Sequence, residues 1–86
     1  MKITLYTTPG CVQCRMTSQW LDRAGIPYRT VDLSESPDDM AAVKAMGYSS
    51  APVVFAEAPD GWADHWSGFR PDKLMVATNR PQGEVA

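Results

Sequence analysis

The feature that most constrains this chain is a pair of cysteines, Cys11 and Cys14, set where a strand pattern gives way to a helix pattern. Lys2-Ile3-Thr4-Leu5-Tyr6-Thr7 alternates and is β-prone, so it reads as a strand. Thr8-Pro9-Gly10 breaks it. Residues 11–24 read as a helix, with Val12, Met16, Trp20 and Ala24 spaced four apart and Leu21 widening the stripe. Gly25 supplies the left-handed position after the helix, Ile26 folds back on the last turn, and Pro27 forbids continuation. Tyr28 to Leu33 forms a second strand. Strand, helix and strand in so short a span make a βαβ unit, with a right-handed crossover and parallel strands.

The rest of the chain extends that unit. Ser36-Pro37-Asp38-Asp39 is a helix start: Ser36 caps, Pro37 suits the first helical position, and two acids face the positive end of the dipole. This second helix runs to Met46 and ends at Gly47. Pro52 opens a short apolar strand over Val53-Val54-Phe55-Ala56, a position where proline is tolerated. Ala58-Pro59-Asp60-Gly61 turns the chain, and Trp62-Ala63-Asp64-His65-Trp66 returns as the second arm of a hairpin. A last helix is expected over Arg70 to Ala77. The order is β-α-β-α-β-β-α. The domain therefore takes residues 1–78, and residues 79–86 are a polar tail expected to fray.

Composition narrows the function classes. With 86 residues there is room for one domain with a thin core. Eight Lys plus Arg against ten Asp plus Glu give a net charge of −2, without the basic excess that a nucleic-acid or anionic-membrane binder shows. No apolar run approaches the roughly 20 residues of a membrane-spanning helix, and the apolar stretch after Met1-Lys2 is too short for a secretory leader, so none is expected. The expectation is a cytoplasmic protein. Two cysteines so close together close a very small loop and add little stability, so in a reducing compartment the pair needs a chemical reason.

That reason lies in position. Free backbone N–H groups at the helix start point toward Cys11, and the dipole adds partial positive charge, so thiolate is favoured over thiol there. Cys14 lies one turn on, less exposed, with Cα atoms about 5 Å apart, inside the range for a disulfide. Cys11 then attacks a partner disulfide and Cys14 resolves the mixed disulfide. Other uses of C-x-x-C stay open. Structural zinc wants four ligands, and the chain offers Cys11, Cys14 and His65. A soft-metal carrier uses the motif in a similar loop but in a βαββαβ order. A C-x-x-C opening the helix of a βαβ unit is the thioredoxin-like signature.

Three segments together, Tyr6-Thr7-Thr8-Pro9-Gly10-Cys11-Val12-Gln13-Cys14, Ser50-Ala51-Pro52-Val53-Val54 and Trp66-Ser67-Gly68-Phe69-Arg70-Pro71-Asp72, resemble the NrdH-redoxins, glutaredoxin-like electron donors of class Ib ribonucleotide reductase. The resemblance covers residues 1 to about 78. It implies a thioredoxin-like (glutaredoxin-type) α/β fold with a four-stranded mixed sheet of order 2-1-3-4 and three helices. It implies a cis Ala51–Pro52 bond beside Cys11, which exposes the Ala51 backbone as an edge for an incoming peptide. It implies thioredoxin reductase as the electron source, with NADPH and flavin acting through that partner and no cofactor or metal bound by the chain itself. A monomer is expected.

The residues bear on the choice against glutathione. Glutathione-binding glutaredoxins commonly carry a basic residue shortly before the first cysteine, where this chain has Thr7 and Thr8, and often Tyr where Gln13 stands. After Ser67-Gly68 come bulky Phe69 and Pro71, and Pro71 removes one N–H from an anion site at that helix end. Arg70 remains able to hold a carboxylate, so a glutathione-dependent glutaredoxin is the alternative. The partner-binding set is Val12, Gln13, Ala51, Pro52, Trp66, Ser67, Gly68, Phe69 and Arg70. Trp66 and Phe69 are either an apolar lip for a protein partner or packing for the last helix. Trp62 reads as packing, His65 as a surface histidine, and Met16, Met40, Met46 and Met75 as core filler.

Overall fold

The computed structural model describes residues 1–79. Its elements are β1 (Lys2–Thr7), α1 (Val12–Ala24), β2 (Arg29–Asp32), a 3-10 turn (Leu33–Glu35), α2 (Pro37–Ala45), β3 (Val53–Glu57), β4 (Ala63–Ser67) and α3 (Pro71–Thr78). The expected order of strands and helices is present throughout. Of the tail placed at 79–86, Asn79 closes α3 by donating its N–H to the Met75 carbonyl, and residues 80–86 lie outside the described residues.

The four strands lie in the order β2-β1-β3-β4. β1 runs parallel to β2 and antiparallel to β3, and β3 runs antiparallel to β4. The fold is thioredoxin-like, as the resemblance implied. Its register positions the site. Tyr6 pairs with Val53, and Val53 pairs with Ser67, so the exit of β1, the entry to β3 and the exit of β4 meet at one end of the sheet.

Side-chain alternation along the strands splits the core in two. Ile3, Leu5, Val54, Ala56 and Trp66 face Leu21 of α1 and Leu74 and Ala77 of α3. On the other face Val53 packs with Leu33 and Val43, flanked by Tyr6, Met40 and Tyr48. Leu5, Leu21 and Leu74 are wholly buried, each worth about 2 kcal/mol of transfer free energy.

Several local expectations need correction. The buried residues of α1 are Cys14, Thr17 and Leu21; of the expected stripe Leu21 is buried and Trp20 packs half-buried against the core, whereas Val12, Met16 and Ala24 are exposed. Thr17 enters the core because its hydroxyl donates to the Gln13 carbonyl at 2.9 Å, which removes the penalty of burying a polar group. Val12 is 62% exposed and Met16 42%. Met75 is exposed too, so neither it nor Met16 fills the core, whereas Met40 packs against it.

Boundaries move for identifiable reasons. Asp32 ends β2 by accepting the N–H of Ser34 at 2.9 Å, which turns Leu33 into a 3-10 segment. Ser36 makes no side-chain cap, because its hydroxyl donates to the Asp39 carboxylate instead. Arg70 stands outside α3 at φ −124°, as expected of a residue held out of helical geometry by the following Pro71. The Gly25 expectation holds. At φ +71° this glycine lets Ile26 donate back to the Leu21 carbonyl at 3.0 Å.

Candidate functional site at the meeting of three loops

The first loop carries the cysteines. Cys11 is the N-cap of α1, with extended geometry at φ −86° and ψ 108°, and its Sγ accepts the backbone N–H of Cys14 at 3.1 Å. The pair forms a disulfide across the first turn, with Cα atoms 5.2 Å apart. Cys14 is buried, whereas Cys11 is only partly covered, behind exposed Pro9 and Gly10. One sulfur therefore faces the approach and the other lies beneath it.

The second loop enters β3 through a cis Ala51–Pro52 bond. Ala51 and Thr8 line a common small cavity of about 50 Å³, which places this loop against the one preceding the cysteines. The third loop, between β4 and α3, ties the other two together. Gly68 donates its N–H to the Pro52 carbonyl at 2.9 Å, and the Ser67 hydroxyl donates to the Ser50 carbonyl at 3.1 Å. Phe69 donates its N–H to Gln13 Oε1 at 2.9 Å. Gly68 has φ +87°, and a Cβ there would stand 3.3 Å from that same oxygen, so glycine answers both a conformational and a steric demand.

Beyond this loop, Arg70 clamps Asp72 through two hydrogen bonds of 3.0 and 2.8 Å. The guanidinium, aided by backbone N–H groups at Asp72 and Lys73, lowers the Asp72 carboxyl to about 2, and Asp72 in turn holds Arg70 above its ordinary value. The arginine read as free to hold a ligand carboxylate thus already holds one from its own chain.

Of the expected partner-binding set, the structure brings Gln13, Pro52, Ser67, Gly68 and Phe69 into one hydrogen-bonded corner, with Ala51 and Arg70 at its margins. Val12 is exposed next to Cys11. Trp66 is a correction. It is 3% exposed and belongs to the core under α3, because its phase on β4 points it inward opposite Val54. No lip is available from it. Phe69 is half-buried and borders a groove of about 390 Å³ with Met16, Trp20 and Arg23.

Arg70, Asp72 and Lys73 read as a charged cluster at the helix start, and the pairing of Arg70 with Asp72 had its signal in Arg-Pro-Asp, where proline starts the helix and the acid occupies its first turn. The contact of Tyr48 Oη with His65 Nδ1 at 2.7 Å had none, since only the β3–β4 register brings His65 onto Phe55 and under Tyr48. Among the described residues, no three His, Cys, Asp or Glu side chains gather as a metal-binding group. Among the described residues, no helix is long and apolar enough to cross a membrane.

The family model for glutaredoxin matches residues 3–58. The glutaredoxin-like protein NrdH of Escherichia coli (strain K12) is 35% identical over 74 residues, covering 86% of this chain and 85% of that protein. The chain belongs to the NrdH family of glutaredoxin-like proteins. A second NrdH, from Lactococcus lactis subsp. cremoris, is 35% identical over 72 residues, covering 84% of this chain and 93% of its own. Among solved structures, the NrdH-redoxin of Escherichia coli superposes with a TM-score of 0.80 at 34% identity, covering 88% of this chain and 93% of that one. As an NrdH-type redox protein, the chain is a thiol–disulfide oxidoreductase with Cys11 and Cys14 joined as its disulfide.

Proposed function

We propose that this NrdH-type protein is a dithiol electron carrier for class Ib ribonucleotide reductase, re-reduced by thioredoxin reductase. The observation that carries the reading is the Cys11–Cys14 disulfide across the first turn of α1, with Cys11 as the partly exposed cap and Cys14 buried. In the reduced protein the Cys11 thiolate attacks one sulfur of a target disulfide. The target's S–S bond breaks and one thiolate leaves, joining Cys11 to the target. The Cys14 thiolate then attacks the Cys11 sulfur, closes the internal disulfide and releases the target with both thiols reduced. Two electrons pass from the pair to the target.

The cap position serves the first step. The Cys14 N–H lies 3.1 Å from Cys11 Sγ and favours negative charge on that sulfur. The second step needs only the reach across one helical turn that the 5.2 Å Cα separation already provides. A protein segment docks over Val12, along Ala51 and beside Phe69. The redoxin holds no cofactor or metal of its own, and NADPH and flavin act through the reductase. It works as a cytoplasmic monomer.

Thioredoxin reductase is favoured over glutathione on two grounds. The solved Escherichia coli relative is described by a thioredoxin-like activity profile. In this chain, Arg70 is paired with Asp72 rather than free for a tripeptide carboxylate. The test supplies NADPH and thioredoxin reductase in one reaction, and glutathione, glutathione reductase and NADPH in another, each with a disulfide substrate. NADPH consumption is expected with thioredoxin reductase. Robust turnover only with glutathione overturns the reading in favour of a glutathione-dependent glutaredoxin. Turnover in neither, with tight binding of one copper or zinc ion, makes the protein a metal carrier.

A further inference from the structure

On the sheet face that packs against α2, a second side-chain cluster lies apart from the cysteines. Tyr48 follows the end of α2. Its N–H donates to the Val43 carbonyl at 3.1 Å, and its ring packs on the cluster of Leu33, Val43 and Val53. Its hydroxyl shares a 2.7 Å hydrogen bond with Nδ1 of His65 on β4. The His65 ring stacks on Phe55 of β3, with centroids 5.5 Å apart and planes 20° apart. It meets the Tyr48 ring edge-to-face at 5.6 Å. Packing and stacking thus restrict both partners of the bond.

This bond is the first of three ties between the α2–β3 loop and the β4 side of the molecule. Two residues on, the Ser50 carbonyl accepts the Ser67 hydroxyl at 3.1 Å. Two further on, the Pro52 carbonyl accepts the Gly68 N–H at 2.9 Å. Tyr48 and Ser50 each find a partner 17 residues later, so the loop runs in step with β4. Ala51 sits between the second and third ties. Among the described residues its own backbone N–H and C=O take part in no hydrogen bond, which leaves them for another chain. The same loop lines a cavity of about 50 Å³, together with Thr8 and Met40. Across a void there are no atoms to hold it. The ties to β4 supply what packing there does not.

We infer that Tyr48 and His65 are positioning residues for the thiol–disulfide reaction: their hydrogen bond sets the Ala51 backbone edge on which a target polypeptide lies while Cys11 attacks its disulfide. The pair acts through the loop and not on the sulfurs. The inference rests on the dithiol reading above and deepens it, since it concerns how a polypeptide target is held.

The test uses the full-length reduced protein and four variants. Tyr48→Phe removes the hydroxyl alone. His65→Phe keeps a ring on Phe55 without the acceptor. His65→Asn is the conservative variant, because its amide oxygen can stand close to the place of Nδ1. Tyr28→Phe is the control. It removes a tyrosine hydroxyl that donates to Asp22 at 3.0 Å, beside Arg29, which pairs with Thr4 and not with the exit of β1. Each protein is oxidised by insulin, whose disulfides lie in polypeptide, and separately by hydroxyethyl disulfide, which has no backbone. Acid-quenched samples are followed by mass spectrometry. In both reactions Cys11 displaces one thiolate and Cys14 the second, so the chemistry is matched. The readout is the ratio of the insulin rate to the hydroxyethyl disulfide rate. It is expected to fall about threefold in Tyr48→Phe and His65→Phe, the scale of one exposed hydrogen bond. It is expected to recover in His65→Asn and to keep the wild-type value in Tyr28→Phe.

A disturbance that reaches the cysteines moves both rates together and leaves the ratio flat. A flat ratio in Tyr48→Phe and His65→Phe overturns the inference and leaves the dithiol reading intact. An equal fall in Tyr28→Phe overturns it as well. A wild-type protein inert toward both disulfides overturns the dithiol reading and this inference with it. A second readout needs no turnover. The Gly68 amide donates to the Pro52 carbonyl, so a loosened loop releases it. Its hydrogen exchange is expected to be about threefold faster in Tyr48→Phe than in the wild type, and equal or slower exchange also overturns the inference.

Discussion

The backbone N–H of Cys14 points at the sulfur of Cys11 from 3.1 Å, so the resolving residue helps to hold charge on the nucleophile before it ever attacks. The two cysteines differ in burial as well, Cys14 being 5% exposed and Cys11 only partly covered. In the reduced protein at neutral pH, iodoacetamide is expected to modify Cys11 at least about tenfold faster than Cys14, as a helix-capping thiolate should react against a buried thiol. Cys14→Ser is expected to accumulate a stable mixed disulfide through Cys11, and Cys11→Ser none. Peptide mapping after a timed quench reads both, and faster labelling of Cys14 would reverse the assigned roles.

The face of α1 that holds the fold together can be tested by a pair of substitutions. Leu21 is wholly buried, whereas Met16 is 42% exposed. Leu21→Ala is expected to lose about 3 kcal/mol, combining transfer and cavity terms. Met16→Ala should stay within about 0.5 kcal/mol, as surface changes do. Urea denaturation followed by circular dichroism measures both. Equal losses would restore the stripe read from periodicity.

Gly68 carries a double demand: φ +87° and a would-be Cβ 3.3 Å from Gln13 Oε1. Gly68→Ala is expected to destabilise the fold by about 1–2 kcal/mol, through left-handed strain and displacement of the Gln13 side chain. Faster hydrogen exchange at the Phe69 amide should accompany it, because that amide loses its acceptor. Gly25→Ala, at φ +71° with nothing within 4 Å, should show the strain alone. Identical exchange at Phe69 in the two variants would contradict the coupling of Gly68 to Gln13.

Asp72 offers a pH marker. Its carboxyl lies at about 2, below the ordinary 3.8, chiefly through the hydrogen bonds from Arg70. A depressed folded value means that the pair's contribution to stability is complete above about pH 4 and fades as pH falls toward 2. A carboxyl-carbon chemical-shift titration should place the Asp72 midpoint near 2 in the wild type and back in the ordinary carboxylate range in Arg70→Ala. An unchanged midpoint in that variant would show that the guanidinium is not the cause.

Much of the fold was legible because its signals are local. Pro9-Gly10 before the cysteines, Gly25-Ile26-Pro27 after the first helix and Pro37 and Pro71 at helix starts each act within a turn of their own position, and every expected element is present in order. The cysteine pair was legible for the same reason, since one helical turn sets its separation. Local competition decided the small misreadings. Asp32 captures the Ser34 amide and shortens β2, and Ser36 bonds to Asp39 rather than to the backbone.

By itself, then, the sequence determined a βαβ unit with a cysteine pair at its helix start, extended by a helix, a hairpin and a final helix. Only the tertiary structure decided which face of α1 is buried. Two stripes fit the helical period, and Thr17 joined the inner one because its hydroxyl found the Gln13 carbonyl. Only the sheet register decided that Trp66 points into the core and that Gln13 meets Phe69, 56 residues away. Periodicity fixes spacing but not phase, and a hydrogen bond between distant loops exists only once the strands between them have paired.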